Sequence, residues 1–216
     1  MKLAHLHHKN RKLSEPIWHV QLAVLAAIAL QVSVNNKLVL GPKYAIAVFE
    51  VLLLFALAVV HPGEHDARLR IRRFIAILLI AIISAINIGS LVLVIDALFN
   101  HSSLVTGREL IISATAIYLT NIIIFGLSYW ELDNVDNAER DFLFPQMTAG
   151  SQVTNQPNWK PAFLDYLYIS ITNASAFSPT DTLPLTKRIK MLMTAQSLTS
   201  LATVALVAAR AVNILS

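Results

Sequence analysis

Glu50 stands near the middle of the otherwise apolar stretch 44–60. A charged side chain at that depth of a bilayer costs several kcal/mol unless it is paired, protonated or hydrated. Its chemistry is that of a proton or cation site, or else of a neutral or hydrogen-bonded glutamate that holds helices together. A second set lies on the stretch 191–215, where Gln196, Ser200, Thr203 and Arg210 follow at offsets of four, three and seven. Those offsets put them along one helix face. Such a stripe either lines a polar lumen or bonds helix to helix, each contact contributing about 0.6 to 2 kcal/mol. Arg210, close to the end of that stretch, can also snorkel to the interface.

Other chemistries lack their residues. There is no cysteine, which excludes disulfides, thiolate metal sites and cysteine nucleophiles. No HExxH, GxSxG, phosphate loop or paired carboxylate on one helix face occurs, so an enzyme is not expected, nor a metal or cofactor. His5, His7 and His8 sit in a tail without fixed geometry, which is a poor metal site.

The elements that must position these residues are membrane helices. Of the 216 residues, 56% are hydrophobic and 14% charged, whereas a soluble domain carries nearer a quarter charged. The mean hydropathy is +0.60. The net charge of +4 comes from basic residues beside apolar runs, which points to a membrane surface and away from nucleic acid. Stretches 17–34, 44–60, 74–99, 110–130 and 191–215 each approach the roughly 20 residues of a membrane span. The first has no small-residue cleavage site after it, so it reads as a retained span and not a signal peptide.

Between the fourth and fifth spans lies a polar, acidic segment, 131–159, and then the shorter, moderately apolar segment 161–177 bounded by Pro161 and Pro179. A short helix, turn chemistry in SPTDTLPLT and a long helix make the layout of a re-entrant loop. The expected fold is therefore an all-α integral membrane protein with five transmembrane helices, and a re-entrant pore-like helix and loop before the last one. It divides into a basic tail, 1–16, a three-helix membrane region, 17–104, and a channel-like module, 105–216. No internal repeat is evident. Ala81, Ala85 and Gly89 form a small-residue seam for helix packing, Asn87 and Asn121 bond across helices, and Trp18, Trp130 and Trp159 fit an interfacial belt.

Over 164–214 the chain resembles the pore module of two-helix tetrameric cation channels of the potassium type. By that resemblance 110–130 is the outer helix, 165–175 the pore helix, 172–181 the filter and 191–215 the inner helix. The stretches WELD (130–133), DFLFPQM (141–147), AFSPTDTLPLT (176–186) and AARAVNIL (208–215) are also similar to a bacterial multi-pass membrane family often labelled ion-channel-like. The resemblance implies a homo-oligomer, a tetramer, that passes monovalent cations along Thr172, Asn173, Ala174, Ser175, Ala176, Phe177, Ser178, Pro179, Thr180 and Asp181. The Gln196, Ser200, Thr203 and Arg210 face would line the path beyond.

This chain departs from potassium channels in having no glycine after Gly150. Their filter glycines let successive carbonyls point at the ion. A pathway here would use hydroxyl and amide dipoles instead. Asp165 and Asp181 would attract cations at a pore mouth, or serve as a first-turn dipole partner and an Asx turn. Thr172 and Asn173 would satisfy polar groups of irregular backbone at depth.

With five crossings, 13 of the 17 Lys and Arg residues fall on the side of the N-terminus. The positive-inside rule makes that side cytoplasmic, in an inner (plasma) membrane, with the re-entrant loop facing the same way. The expected function is channel-like cation passage through an oligomeric pore. The alternative is a non-conducting membrane scaffold or partner subunit with a degenerate pore-loop fold, docking through the acidic loop 131–141.

Overall fold

The computed structural model describes residues 18–59, 66–99, 105–133, 140–148, 159–176 and 181–215. In chain order these form α1 (Trp18–Ser33), α2 (Lys43–Val59), α3 (Asp66–Phe99), α4 (Gly107–Leu132), β1 (Phe142–Leu143), α5 (Phe163–Ala176), β2 (Leu183–Pro184) and α6 (Lys187–Leu215). Single 3₁₀ turns occupy Asn36–Leu38 and Pro145–Met147.

Local chemistry sets the ends of these helices. Lys43 at the start of α2 reaches back with Nζ to the carbonyls of Val32 (2.8 Å) and Val34 (2.9 Å). It thereby satisfies acceptors that a helix C-terminus leaves without partners, and its positive charge suits the negative end of the dipole. The turn between α1 and α2 needs Gly41, whose φ of +87° is a conformation that a side chain disfavours. Thr106 and Glu109 close a capping box on α4: Glu109 N donates to Thr106 Oγ1 (3.3 Å), and Thr106 N donates to Glu109 Oε2 (2.7 Å). Asn35 Nδ2 donates to Glu109 Oε1 (3.0 Å), tying the α1–α2 connection to the same cap.

α4 is the central post, packed by α1, α3, α5 and α6. Its small residues Ser113, Ala114, Ala116 and Gly126 let neighbours approach. At Gly126 an added Cβ would lie 3.2 Å from the Leu167 Cα, so α5 fits only against a bare backbone there. α5 runs antiparallel to α4, with Phe163 edge-on to Trp130, Leu167 at Gly126 and Ser170 bonded to the Ile122 carbonyl. β2 then pairs antiparallel with β1, Phe142 opposite Pro184 and Leu143 opposite Leu183. α6 starts beside the end of α4 and runs back along it until Leu206 and Val207 meet Leu110 and Ala114.

Three helices are long and apolar enough to cross a membrane: Ile71–Phe99, Gly107–Leu132 and Lys187–Arg210. α1 has 16 residues and α2 has 17, about 24 and 26 Å at 1.5 Å per residue against a hydrocarbon core of roughly 30 Å. Large apolar side chains such as Val48, Leu52 and Phe55 on α2 and Phe74, Ile88 and Val92 on α3 face outward, as they do where the solvent is lipid.

Some expectations need adjusting. α5 begins two residues before the expected 165, because Asp165 Oδ2 accepts from Ala162 N (2.6 Å) and caps a turn that starts earlier. α6 begins at Lys187 and not 191, its basic first turn being helical as well. Ala81 and Ala85 lie on an exposed face of α3, and Gly89 of that seam meets the Leu40 side chain. Trp130 and Trp159 pack on Phe163 and Phe144 in an aromatic cluster, while Trp18 is exposed.

Candidate functional site

α4, α5 and α6 meet at a buried polar layer centred on Gln196. Its Oε1 accepts from Tyr129 Oη (2.6 Å) and Asn173 Nδ2 (2.9 Å). Its Nε2 donates to the Ser170 carbonyl (3.0 Å) and to Ser170 Oγ (2.6 Å). Ser170 Oγ in turn donates to the Ile122 carbonyl (2.6 Å). Asn173 Nδ2 also donates to the Met193 carbonyl (3.0 Å), and its Oδ1 accepts from Ser197 Oγ (3.2 Å). One turn further along α6, Ser200 Oγ accepts from Asn121 Nδ2 (3.0 Å). Both lone pairs and both hydrogens of the Gln196 amide are taken. The layer is closed by side chains and backbone carbonyls of one chain.

Of the expected lining residues, Gln196 and Ser200 therefore face α4 and α5. Gln196 and Ser200 are fully buried, and Thr203, nearly so, donates to the Thr199 carbonyl of its own helix (2.8 Å). Arg210 is half-buried among Val94, Leu98, Leu110 and Ala114, and its Nε has no hydrogen-bond partner among the described residues. Of the filter-like residues, Asn173 and Ala174 are buried. Thr172, half-buried, bonds the Tyr168 and Ile169 carbonyls, and exposed Ser175 bonds the Ile171 carbonyl, all within α5. Ala176 ends α5, Asp181 is exposed, and Phe177, Ser178, Pro179 and Thr180 lie outside the described residues.

At the end where α4 finishes, a charged cap ties the connecting segments together. Asp141, completely buried, accepts from Arg188 Nε on Oδ1 (2.9 Å), from Arg188 Nη2 on Oδ2 and from Thr186 Oγ1. Arg188 Nη2 also donates to the Leu132 carbonyl (3.1 Å). Asp133 accepts from Asp141 N (3.0 Å) and from Tyr166 Oη (2.5 Å). Glu131 lies 3.8 Å from Arg73 of α3. The Phe142, Phe144, Tyr166 and Tyr129 rings pack beneath, with neighbouring centroids 5.5 to 6.3 Å apart. So Glu131, Asp133 and Asp141 of the acidic loop are turned into the fold, while Asp136 and Glu139 lie outside the described residues.

A third polar group joins α1, α2 and α3. Glu50 is completely buried, beside Gln31 of α1, which is 8% exposed. Asn87 of α3 donates to the Ile117 carbonyl of α4 (3.3 Å), the cross-helix bond that its place in an apolar run called for.

The residue pattern gave no cue to Gln31, Tyr129 or Ser170, since an isolated polar residue in an apolar run has no periodicity to mark it. The cap had a signal, two aspartates at a span's edge with an arginine at the next span's start.

Comparison with known proteins finds no matching family model, no matching curated sequence and no matching solved structure.

Proposed function

We propose that this chain is a non-conducting membrane scaffold or partner subunit, built on a pore-loop-like module in a bacterial inner membrane. One observation carries the reading: Gln196, with no free lone pair or hydrogen, closes the α4–α5–α6 layer inside a single chain. A cation stripped of water needs oxygen ligands in place of its hydration shell. The Gln196 and Asn173 oxygens that would supply them already accept hydrogen bonds.

In this reading the layout has five crossings, with α1 and α2 as short spans accommodated by local thinning, and α5 is re-entrant. The return of β2 to β1, at the end where α4 finishes and α5 starts, supports this. The excess of Lys and Arg on that side supports a cytoplasmic position for that end and the N-terminus.

A second reading keeps conduction. Ser175 and Thr172 put hydroxyls on the outward side of α5, so a pore would have to form between copies of the chain.

Potassium and sodium flux into liposomes carrying the purified protein separates the two. The scaffold reading predicts no flux above empty liposomes from folded protein. Flux that falls in Thr172→Val would overturn it.

A further inference from the structure

We infer that the outward side of α6, at its start, binds an anionic phospholipid, whose phosphate sits at Lys187 and Lys190 and whose acyl chain lies along Met191 and Leu198. The site rests on α6 crossing the membrane and not on whether the chain conducts.

The first turn of α6 holds three cations, Lys187, Arg188 and Lys190, and no acid. Arg188 is turned to Asp141 and to the Leu132 carbonyl, and Ile189 is completely buried. Lys187 and Lys190 are exposed and three residues apart, so they share the other side of the helix. Their ammonium groups have no partner among the described residues. The carboxylates at this end are taken: Asp141 accepts from Arg188 and Thr186, and Asp133 from Tyr166 and the Asp141 N–H. Asp181, which precedes β2, pairs with neither lysine. Two like charges on one turn repel each other, and an anion between them relieves that repulsion.

Past the lysines the same side of α6 is apolar. Met191, 70% exposed, and Leu198, also exposed, follow Lys187 at offsets of four and eleven, about 6 and 16 Å along the helix. One leaflet contributes about 15 Å of hydrocarbon. The strip therefore has the length of one lipid, with charge at its head and apolar surface along its tail. β2, which leads into α6, adds Leu183 and Leu185, exposed on one face of the strand. A soluble phosphate would meet the lysines and leave this apolar surface uncovered. A choline headgroup would bring a cation of its own to them. The chemistry that fits is a phospholipid of net negative charge.

Because the chain has no cysteine, a fluorophore on Met191→Cys reports the lipid beside the lysines. One on Leu52→Cys, exposed on α2, reports lipid elsewhere. Both are read in phosphatidylcholine liposomes containing a minority of phosphatidylglycerol, with bromine on the acyl chains of one lipid or the other as quencher. Brominated phosphatidylglycerol should be enriched at Met191→Cys by about five-fold for each lysine, and not at Leu52→Cys. Replacing both lysines, Lys187→Gln and Lys190→Gln, should remove the enrichment, while inorganic phosphate at matched ionic strength should leave it unchanged. If the doubly substituted chain does not fold, the ratio between the two labels with both lysines present decides. Equal quenching at the two labels would make the lysines plain interface anchors and overturn the proposal. Enrichment that survives both substitutions, or that inorganic phosphate displaces, would also overturn it. Quenching of Met191→Cys by aqueous iodide and not by brominated lipid would overturn the site together with the membrane placement of α6.

Discussion

At the residue scale, energy is concentrated where polar groups are buried among apolar helices. Gln196 makes four hydrogen bonds to α4 and α5 side chains and backbone. At a typical 0.6 kcal/mol per contact in a membrane interior, Gln196→Leu should cost roughly 2 kcal/mol. Thermal unfolding in detergent, followed by tryptophan fluorescence, measures it. The Asp141–Arg188 pair should respond asymmetrically. Arg188 is about half exposed and Asp141 fully buried. Arg188→Ala leaves a buried carboxylate without its cation, a loss of about 3 kcal/mol, whereas Asp141→Asn leaves a cation that water can reach and should cost clearly less. Equal losses in the same unfolding assay would show that the carboxylate does not depend on this arginine. The stripe of Gln196, Ser200 and Thr203 was legible in the sequence as a helix face, because spacing alone sets it. What that face touches was not legible, since lumen and neighbouring helix impose the same periodicity. Glu50 was legible for being out of place, and Gln31 was not, because an uncharged amide does not break an apolar pattern.

At the scale of elements, close approach decides which helices pair. α5 lies on α4 at Gly126, where a Cβ would meet the Leu167 backbone. Backbone cannot step aside as a side-chain tip can, so Gly126→Ala should destabilise by about 1 to 3 kcal/mol. Gly89→Ala meets only the flexible Leu40 side chain and should cost less, a ranking that the two melting temperatures check. Lys43→Met removes two bonds to carbonyls at and just after the C-terminus of α1 and should loosen the α1–α2 turn by about 1 kcal/mol; hydrogen exchange at residues 32–38 reads it locally. Apolar length announced α3, α4 and α6 in the sequence, and two prolines announced α5. The small sheet was not announced: two strands of two residues have no alternation to detect, and their register depends on Asp141 holding both Thr186 and the Leu185 N–H.

For the whole molecule, α4 is one central post whose Asn121 and Tyr129 side chains pair with α6 of the same chain. α4 is enclosed by α1, α3, α5 and α6, and the polar faces of α5 and α6 turn toward it. Outward surfaces of α2 and α3 are apolar and suit lipid. A pore lined by the Gln196, Ser200 and Thr203 face would need that face to turn away from α4 and become wet. The chain has no cysteine of its own, so a single introduced cysteine reports its own surroundings. The most direct measurement is labelling of Ser200→Cys and Thr203→Cys in liposomes with a charged, membrane-impermeant thiosulfonate, with Asp181→Cys, an exposed position, as the reactive reference. Labelling of the reference alone is the predicted result. Rapid labelling at Ser200→Cys and Thr203→Cys would mean that water reaches this face, and would contradict a layer closed inside one chain.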